Sequence, residues 1–192
     1  MKKILRTIAT LSLIASLGSV NAQIDGTVNN APNFQGYDIF GNAHDFYADY
    51  LDNNIPIILD VSAHWCGPCW SYHQTHALED AYNQYGPNGS VEANKLMVLW
   101  ADGDAGSTFN LLYGSAGSQG DWVTGTPFPI FGGDTGLGAN DGRDIANLYQ
   151  INYFPTVFLI HPDRTVEELT QPSLNAIVNA VNNVNPVTDN VN

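Results

Sequence analysis

The chain has 192 residues and sets 19 acidic side chains against 6 basic ones, a formal charge of −13. A surface of that sign repels phosphate backbones and anionic membranes, which excludes nucleic acid as a partner. Its two cysteines permit at most one intrachain disulfide, and apart from residues 1–22 the length suits one domain with a sizeable core.

Met1 to Ala22 reads as a cleaved secretory signal: Lys2, Lys3 and Arg6, then an apolar stretch from Ile8 to Leu17, then Val20-Asn21-Ala22 with small side chains at the cut. Thr10, Ser12 and Ser16 interrupt the apolar stretch, which is shorter than the ~20 residues a bilayer span needs. The expected location is therefore periplasmic or secreted, with no membrane span after cleavage. All three basic residues of the signal leave with it and no acidic residue does, so the remainder carries a formal charge of −16. Residues 23–185 form the expected folded domain, and 186–192 a tail or linker.

A leading strand or hairpin is expected within Ile24 to Phe46. Ile55-Pro56-Ile57-Ile58-Leu59-Asp60-Val61 is a continuous apolar run, the pattern of a strand buried on both faces. From Pro68 to Tyr85 the pattern becomes helical, with Ala77, Leu78, Ala81, Tyr82 and Tyr85 on one face and Gly86 as the stop. Both cysteines, in Trp65-Cys66-Gly67-Pro68-Cys69-Trp70, thus fall where a buried strand turns into a helix. A bridge between them closes only a four-residue loop and constrains the unfolded chain little. The free N–H groups and dipole of a helix start stabilise a thiolate on Cys66, and Cys69 lies one turn further in. This asymmetry suits one attacking and one resolving sulfur. A zinc half-site and an inert pair are the other readings, and no second cysteine pair exists to complete a zinc site.

Further along, Leu96 to Ala101 reads as a strand. A long Gly-rich insertion, Asp102 to Asp144, follows, with short helices over Thr108–Tyr113 and Ile145–Tyr149. Asp102-Gly103-Asp104-Ala105-Gly106 resembles the start of a calcium loop but lacks its later ligands, so no calcium is expected. Strands over Thr156–Ile160 and Thr165–Leu169 precede a last helix with Pro172 in its first turn and Leu174, Ile177, Val178, Val181 and Val184 on one face. The histidine spacing Cys66, Cys69, His73, His76 invites a metal, but about 15 Å of helix separates its ends, far beyond one coordination sphere. No metal or other cofactor is expected beyond the cysteine pair. His73 either tunes Cys69 or simply packs.

Asp60-Val61-Ser62-Ala63-His64-Trp65-Cys66-Gly67-Pro68-Cys69 resembles the active-site segment of thioredoxins, including the acid six residues before the first cysteine. Ala31-Pro32-Asn33-Phe34 with Gly41, and Tyr153-Phe154-Pro155-Thr156-Val157-Phe158, are similar to the secreted TlpA/ResA-like branch. The resemblance runs from about Ala31 to Val184. It implies an α/β fold, a three-layer sandwich around a mixed sheet. It also implies a buried Asp60 that exchanges a proton with Cys69, and a cis Pro155 facing the sulfurs. The backbone beside that proline, at Phe154 and Thr156, would pair with an extended substrate, and Trp65, Gly67, Pro68 and Trp70 would line the contact. Pro129 is a rival for the cis-proline, but a loop, Phe131-Gly132-Gly133, is expected after it.

The chain departs from the pattern in two places: no proline kinks the helix between Trp70 and Tyr85, and Trp70 stands where relatives carry Lys or Arg. Trp70 is either a partner anchor or packing for the insertion. Trp122, Phe128 and Phe131 in the insertion would give a compact loop with an aromatic face, either one wall of a client groove or a cap on a sheet edge. The function implied is an extracytoplasmic protein-disulfide oxidoreductase acting on client disulfides and served by an upstream electron donor. The Gly-Pro between the cysteines is similar to that of reducing thioredoxins, with potentials near about −270 mV, which favours a reductase. The other class is a metal-handling or client-binding module without turnover.

Overall fold

The computed structural model describes residues 31–133 and 141–186. The expected signal at 1–22, the start of the leading segment, residues 134–140 of the Gly-rich insertion and most of the tail lie outside the described residues.

Five strands make the central sheet: β3 (Ile57–Ser62), β4 (Met97–Asp102), β5 (Ile130–Phe131), β6 (Thr156–Ile160) and β7 (Val166–Leu169), in the order β5-β4-β3-β6-β7. β3, β4 and β5 run parallel, and β6 and β7 are antiparallel, so the sheet is mixed. The leading segment folds back as a separate hairpin of β1 (Gln35–Tyr37) and β2 (Ala43–Asp45). Every residue of β3, β4 and β6 is buried, because the sheet is covered on both faces.

Alternation along β3 divides the core into two layers. Ile58 points to the side covered by α1 (Gly67–His73), α2 (Ala77–Tyr85) and α5 (Leu174–Val181), where Val98, Trp100, Val157 and Leu159 join Leu78, Ala81, Ile177 and Val181. Ile57, Leu59 and Val61 point to the other side, against α4 (Asp141–Leu148) and the aromatic residues Phe34, Phe46 and Phe131. The result is the expected three-layer α/β sandwich.

The single helix expected over Pro68–Tyr85 is in fact two. Thr75 Oγ1 donates to the carbonyl of Tyr72 at 2.7 Å and accepts from Ala77 N, while His76 takes a left-handed conformation, φ 56°. A threonine hydroxyl competing for helix carbonyls breaks the ladder without any proline. Gly86 does end α2, and a Cβ there would lie 2.5 Å from the Tyr82 carbonyl.

The stretch 102–144 is less loop-like than expected. Ile130 and Phe131 form edge strand β5 beside Trp100 and Ala101, a two-residue strand too short for periodicity to reveal. The helix expected at Thr108–Tyr113 is α3 (Phe109–Leu112), capped by Thr108, and α4 starts earlier than expected, at Asp141. Trp122, Phe128 and Phe131 are all buried, Phe131 in the opposite layer from the other two, so they form no exposed aromatic face. Pro172 lies just before the Ser173 cap of α5, not in its first turn, and its carbonyl accepts from the Tyr72 hydroxyl. Among the described residues no helix is long and apolar enough to cross a membrane.

Candidate active site

Parallel β3 and β4 end side by side at Ser62 and Asp102, and antiparallel β6 begins at the same edge, Thr156 opposite Val61. Whatever follows β3 therefore meets whatever precedes β6. After β3 come the cysteines and before β6 comes Pro155, whose peptide bond with Phe154 is cis. Topology alone brings these distant stretches together.

Cys66 caps α1. Its amide donates to Ala63 O, its sulfur accepts from Cys69 N at 3.2 Å, and Pro68 occupies the first turn, where a missing N–H costs nothing. Cys66 and Cys69 are joined as a disulfide. Both are buried, Cys66 at 4% exposure and Cys69 at 1%, so Cys66 is the more accessible residue by a narrow margin. Gly67 and Pro68 lie at the surface, and a side chain on Gly67 would meet nothing within 4 Å. Trp65 is exposed, sets its ring edge-on to Phe154 at 6.1 Å, and donates from Nε1 to Asp104 Oδ2 at 2.8 Å. Thr156 is buried, and its hydroxyl donates to Tyr153 O, so its side chain shapes the turn before the strand.

Asp60 sits within β3, on the α1 and α2 side of the sheet, at 2% exposure. Ser62 Oγ donates to it at 2.7 Å. Burial pushes its carboxyl up to about 7; the serine bond opposes that shift and the negative charge of Glu79 adds to it. It is thus a group that exchanges a proton near neutral pH.

Trp70 is half-buried and packs in an aromatic stack. Trp122 meets it edge-on at 4.9 Å, His73 stacks on it at 5.2 Å, and Trp100 stacks on Trp122 at 5.1 Å. Gly120 makes the fit possible, since a Cβ there would lie 2.3 Å from the Trp70 ring. Trp70 thus has the packing place, against the stretch 118–122. His73 belongs to the same stack, and burial with the neighbouring His76 lowers it to about 4, so it is a neutral ring at pH 7.

Six participants escaped the sequence reading. His64 and Asp102 are both buried, and His64 Nδ1 lies 2.8 Å from Asp102 Oδ2. Asp102 also accepts from Ser107 Oγ at 2.7 Å and from Asp104 N. Gln119 N and Ser118 Oγ both donate to His64 O, and Gln119 Nε2 donates to Trp65 O. The insertion therefore braces the segment that carries Cys66. The Asp-Gly-Asp considered as a calcium loop serves this purpose: Asp102 holds His64, and Asp104 holds Trp65 and Gly106 N. An aspartate just after an apolar strand was the only sequence signal.

A CxxC disulfide capping the helix that follows a strand with a buried carboxyl, next to a strand entered through a cis-proline, on a five-stranded mixed sheet, defines a thioredoxin-like fold. No family model and no curated protein matches the chain. Solved structures do. A thiol:disulfide interchange protein of the thioredoxin family from Chlorobium tepidum TLS is 16% identical over 80% of this chain and 94% of its own, with a TM-score of 0.51. A thiol-disulfide oxidoreductase from Bacteroides fragilis NCTC 9343 is 18% identical over 80% and 97%, at 0.51. DsbF of MTB, in mixed oxidized and reduced forms, is 14% identical over 83% and 97%, at 0.51. The chain has the thioredoxin-like fold.

Proposed function

We propose that this protein is an extracytoplasmic thiol-disulfide oxidoreductase that reduces disulfides of client proteins. The observation that carries this reading is a buried Cys66–Cys69 disulfide at the start of α1, preceded in the chain by β3 with its buried acid Asp60. The structural neighbours in which this fold recurs include proteins described as thiol-disulfide oxidoreductases, which supports the same chemistry.

In the proposed cycle the Cys66 thiolate attacks a client disulfide, forming one sulfur–sulfur bond and releasing one client thiolate. Asp60 takes the proton of Cys69, whose sulfur then attacks Cys66. The Cys66–client bond breaks, the second client thiolate leaves with the electron pair, and the enzyme disulfide remains. An upstream electron donor must reduce that disulfide for the next turnover. Trp65, Phe154 and the exposed Gly67-Pro68 edge form the surface that a client segment would meet, paired along the backbone at Phe154 and Thr156. The signal-like residues 1–22 support action outside the cytoplasm.

The equilibrium potential of the pair in glutathione buffers, measured beside insulin reduction, tests the reading. A potential near about −270 mV with insulin turnover is expected for a reductase. A potential far above that value makes it an oxidant. A dithiol that binds clients but never turns over is a docking module.

A further inference from the structure

The two residues that flank the Cys66–Cys69 loop, Trp65 and Trp70, are held by two consecutive residues of the insertion. On the side of Cys66, Gln119 N donates to His64 O at 2.9 Å and Gln119 Nε2 donates to Trp65 O at 3.0 Å. On the side of Cys69, the Gly120 backbone lies so close to the Trp70 ring that a Cβ would come within 2.3 Å of it. This clasp is itself tied to the sheet. Ser118 Oγ donates to Gly120 O at 2.9 Å and accepts from Trp122 Nε1 at 3.1 Å, and the Trp122 ring stacks on Trp100 of β4.

We propose that Gln119 is a positioning residue for the dithiol, and that with Gly120 it holds the loop in its closed, disulfide-bonded shape. The inference rests on the oxidoreductase reading for its purpose, but not for its test. When the disulfide is reduced the sulfurs are no longer bonded, and the first turn of α1 is free to loosen. Gln119 and Gly120 hold the two ends of that turn where the disulfide places them. Contacts that are stronger in one redox state than in the other shift the equilibrium towards that state by the difference. The clasp thus makes the pair a better reductant than the same CxxC loop without it. Gln119 is exposed and its amide is neutral. Truncating it therefore removes the bond to Trp65 O without changing the charge near the sulfurs or opening the core.

The test is the equilibrium of the enzyme dithiol with oxidised glutathione, which yields the enzyme disulfide and two molecules of reduced glutathione. In Gln119→Ala the constant for disulfide closure should fall about three- to fivefold, as for one hydrogen bond made in the oxidised form and loosened in the reduced form. The potential then rises by about 15–20 mV, at about 30 mV per tenfold. Urea unfolding of the oxidised and chemically reduced proteins closes the cycle, and Q119A should weaken the oxidised form more than the reduced form by the same factor. A brace with a merely structural role would weaken both forms equally and leave the potential unmoved, and that result overturns the proposal. Gly120→Ala, which displaces Trp70, should raise the potential as well; a fall overturns the part given to Gly120, and Q119A, a surface change, decides alone should G120A fail to fold. Neither measurement needs a client. If wild type never reduces insulin, the oxidoreductase reading fails, and the difference between the two stabilities still decides the clasp.

Discussion

His64 Nδ1 and Asp102 Oδ2 meet at 2.8 Å, both residues buried, at the ends of the two parallel strands that carry the site. The contact ties the segment leading to Cys66 onto β4. With Ser107 Oγ and Asp104 N also donating to Asp102, the carboxylate is saturated by four donors counting the longer bond from His64 N. Breaking one side of a buried pair strands the other. Asp102→Asn should therefore cost roughly 1–3 kcal/mol in urea unfolding, with local loosening seen as faster exchange of the Cys66 and Gln119 amides. A loss below about 1 kcal/mol would show that the pair is dispensable.

Cys66 and Cys69 should differ as nucleophiles. In the reduced protein the Cys66 thiolate faces the free N–H groups of the first turn of α1, with Cys69 deeper. Mass-resolved alkylation at neutral pH should label Cys66 first. Cys69→Ser should accumulate mixed disulfides, and faster labelling of Cys69 would reverse the assigned roles.

Two buried groups push the pH profile of stability in opposite directions. Asp60 is raised to about 7 from an ordinary 3.8, so the folded state keeps a proton that the unfolded state gives up between those values, and stability falls as pH rises through that window. His73 is lowered to about 4 from 6.5, so the unfolded state takes a proton that the folded state refuses, and stability falls as pH drops through that window. The two offset each other in wild type. Asp60→Asn should unmask acid destabilisation by roughly 3 kcal/mol between pH 7 and 4, and His73→Phe should unmask stabilisation of about 4 kcal/mol over the same range. Urea midpoints of the oxidised proteins at three pH values check the signs.

Asp60→Asn also bears on chemistry. Without its proton acceptor, resolution by Cys69 should slow near pH 7 while the initial attack by Cys66 does not. Quenched-flow separation of the two steps measures this, and unaltered resolution would return Asp60 to a structural role.

Packing around Trp70 gives a sharper stability test than any surface residue. Gly120→Ala drives a methyl into the indole and should cost about 1–3 kcal/mol. Gly67→Ala, facing open space beside the same disulfide, should stay within about 0.5 kcal/mol of wild type. Similar losses in both would contradict the stack as described.

What the sequence by itself determined was local. The apolar run at 57–61, the helical pattern after the cysteines and the amphipathic last helix were legible because burial on one face, or on two, leaves a period in the residues themselves. The pairing of Cys66 with Cys69 followed from their place where strand turns into helix, and the resemblance to thioredoxins pointed to Asp60 as a buried acid and to Pro155 as a cis-proline. Tertiary structure decided the rest. The break at His76 arises from one threonine hydroxyl bonding back to Tyr72, and β5 is two residues long. Neither is long enough to carry a period. His64 with Asp102, and Trp122 with Trp70, are partners separated by many residues along the chain. Only the parallel register of β3 and β4, and the layer that α1 and α2 share with the insertion, bring them within bonding distance or electrostatic reach. No spacing in the chain encodes a contact that the sheet creates.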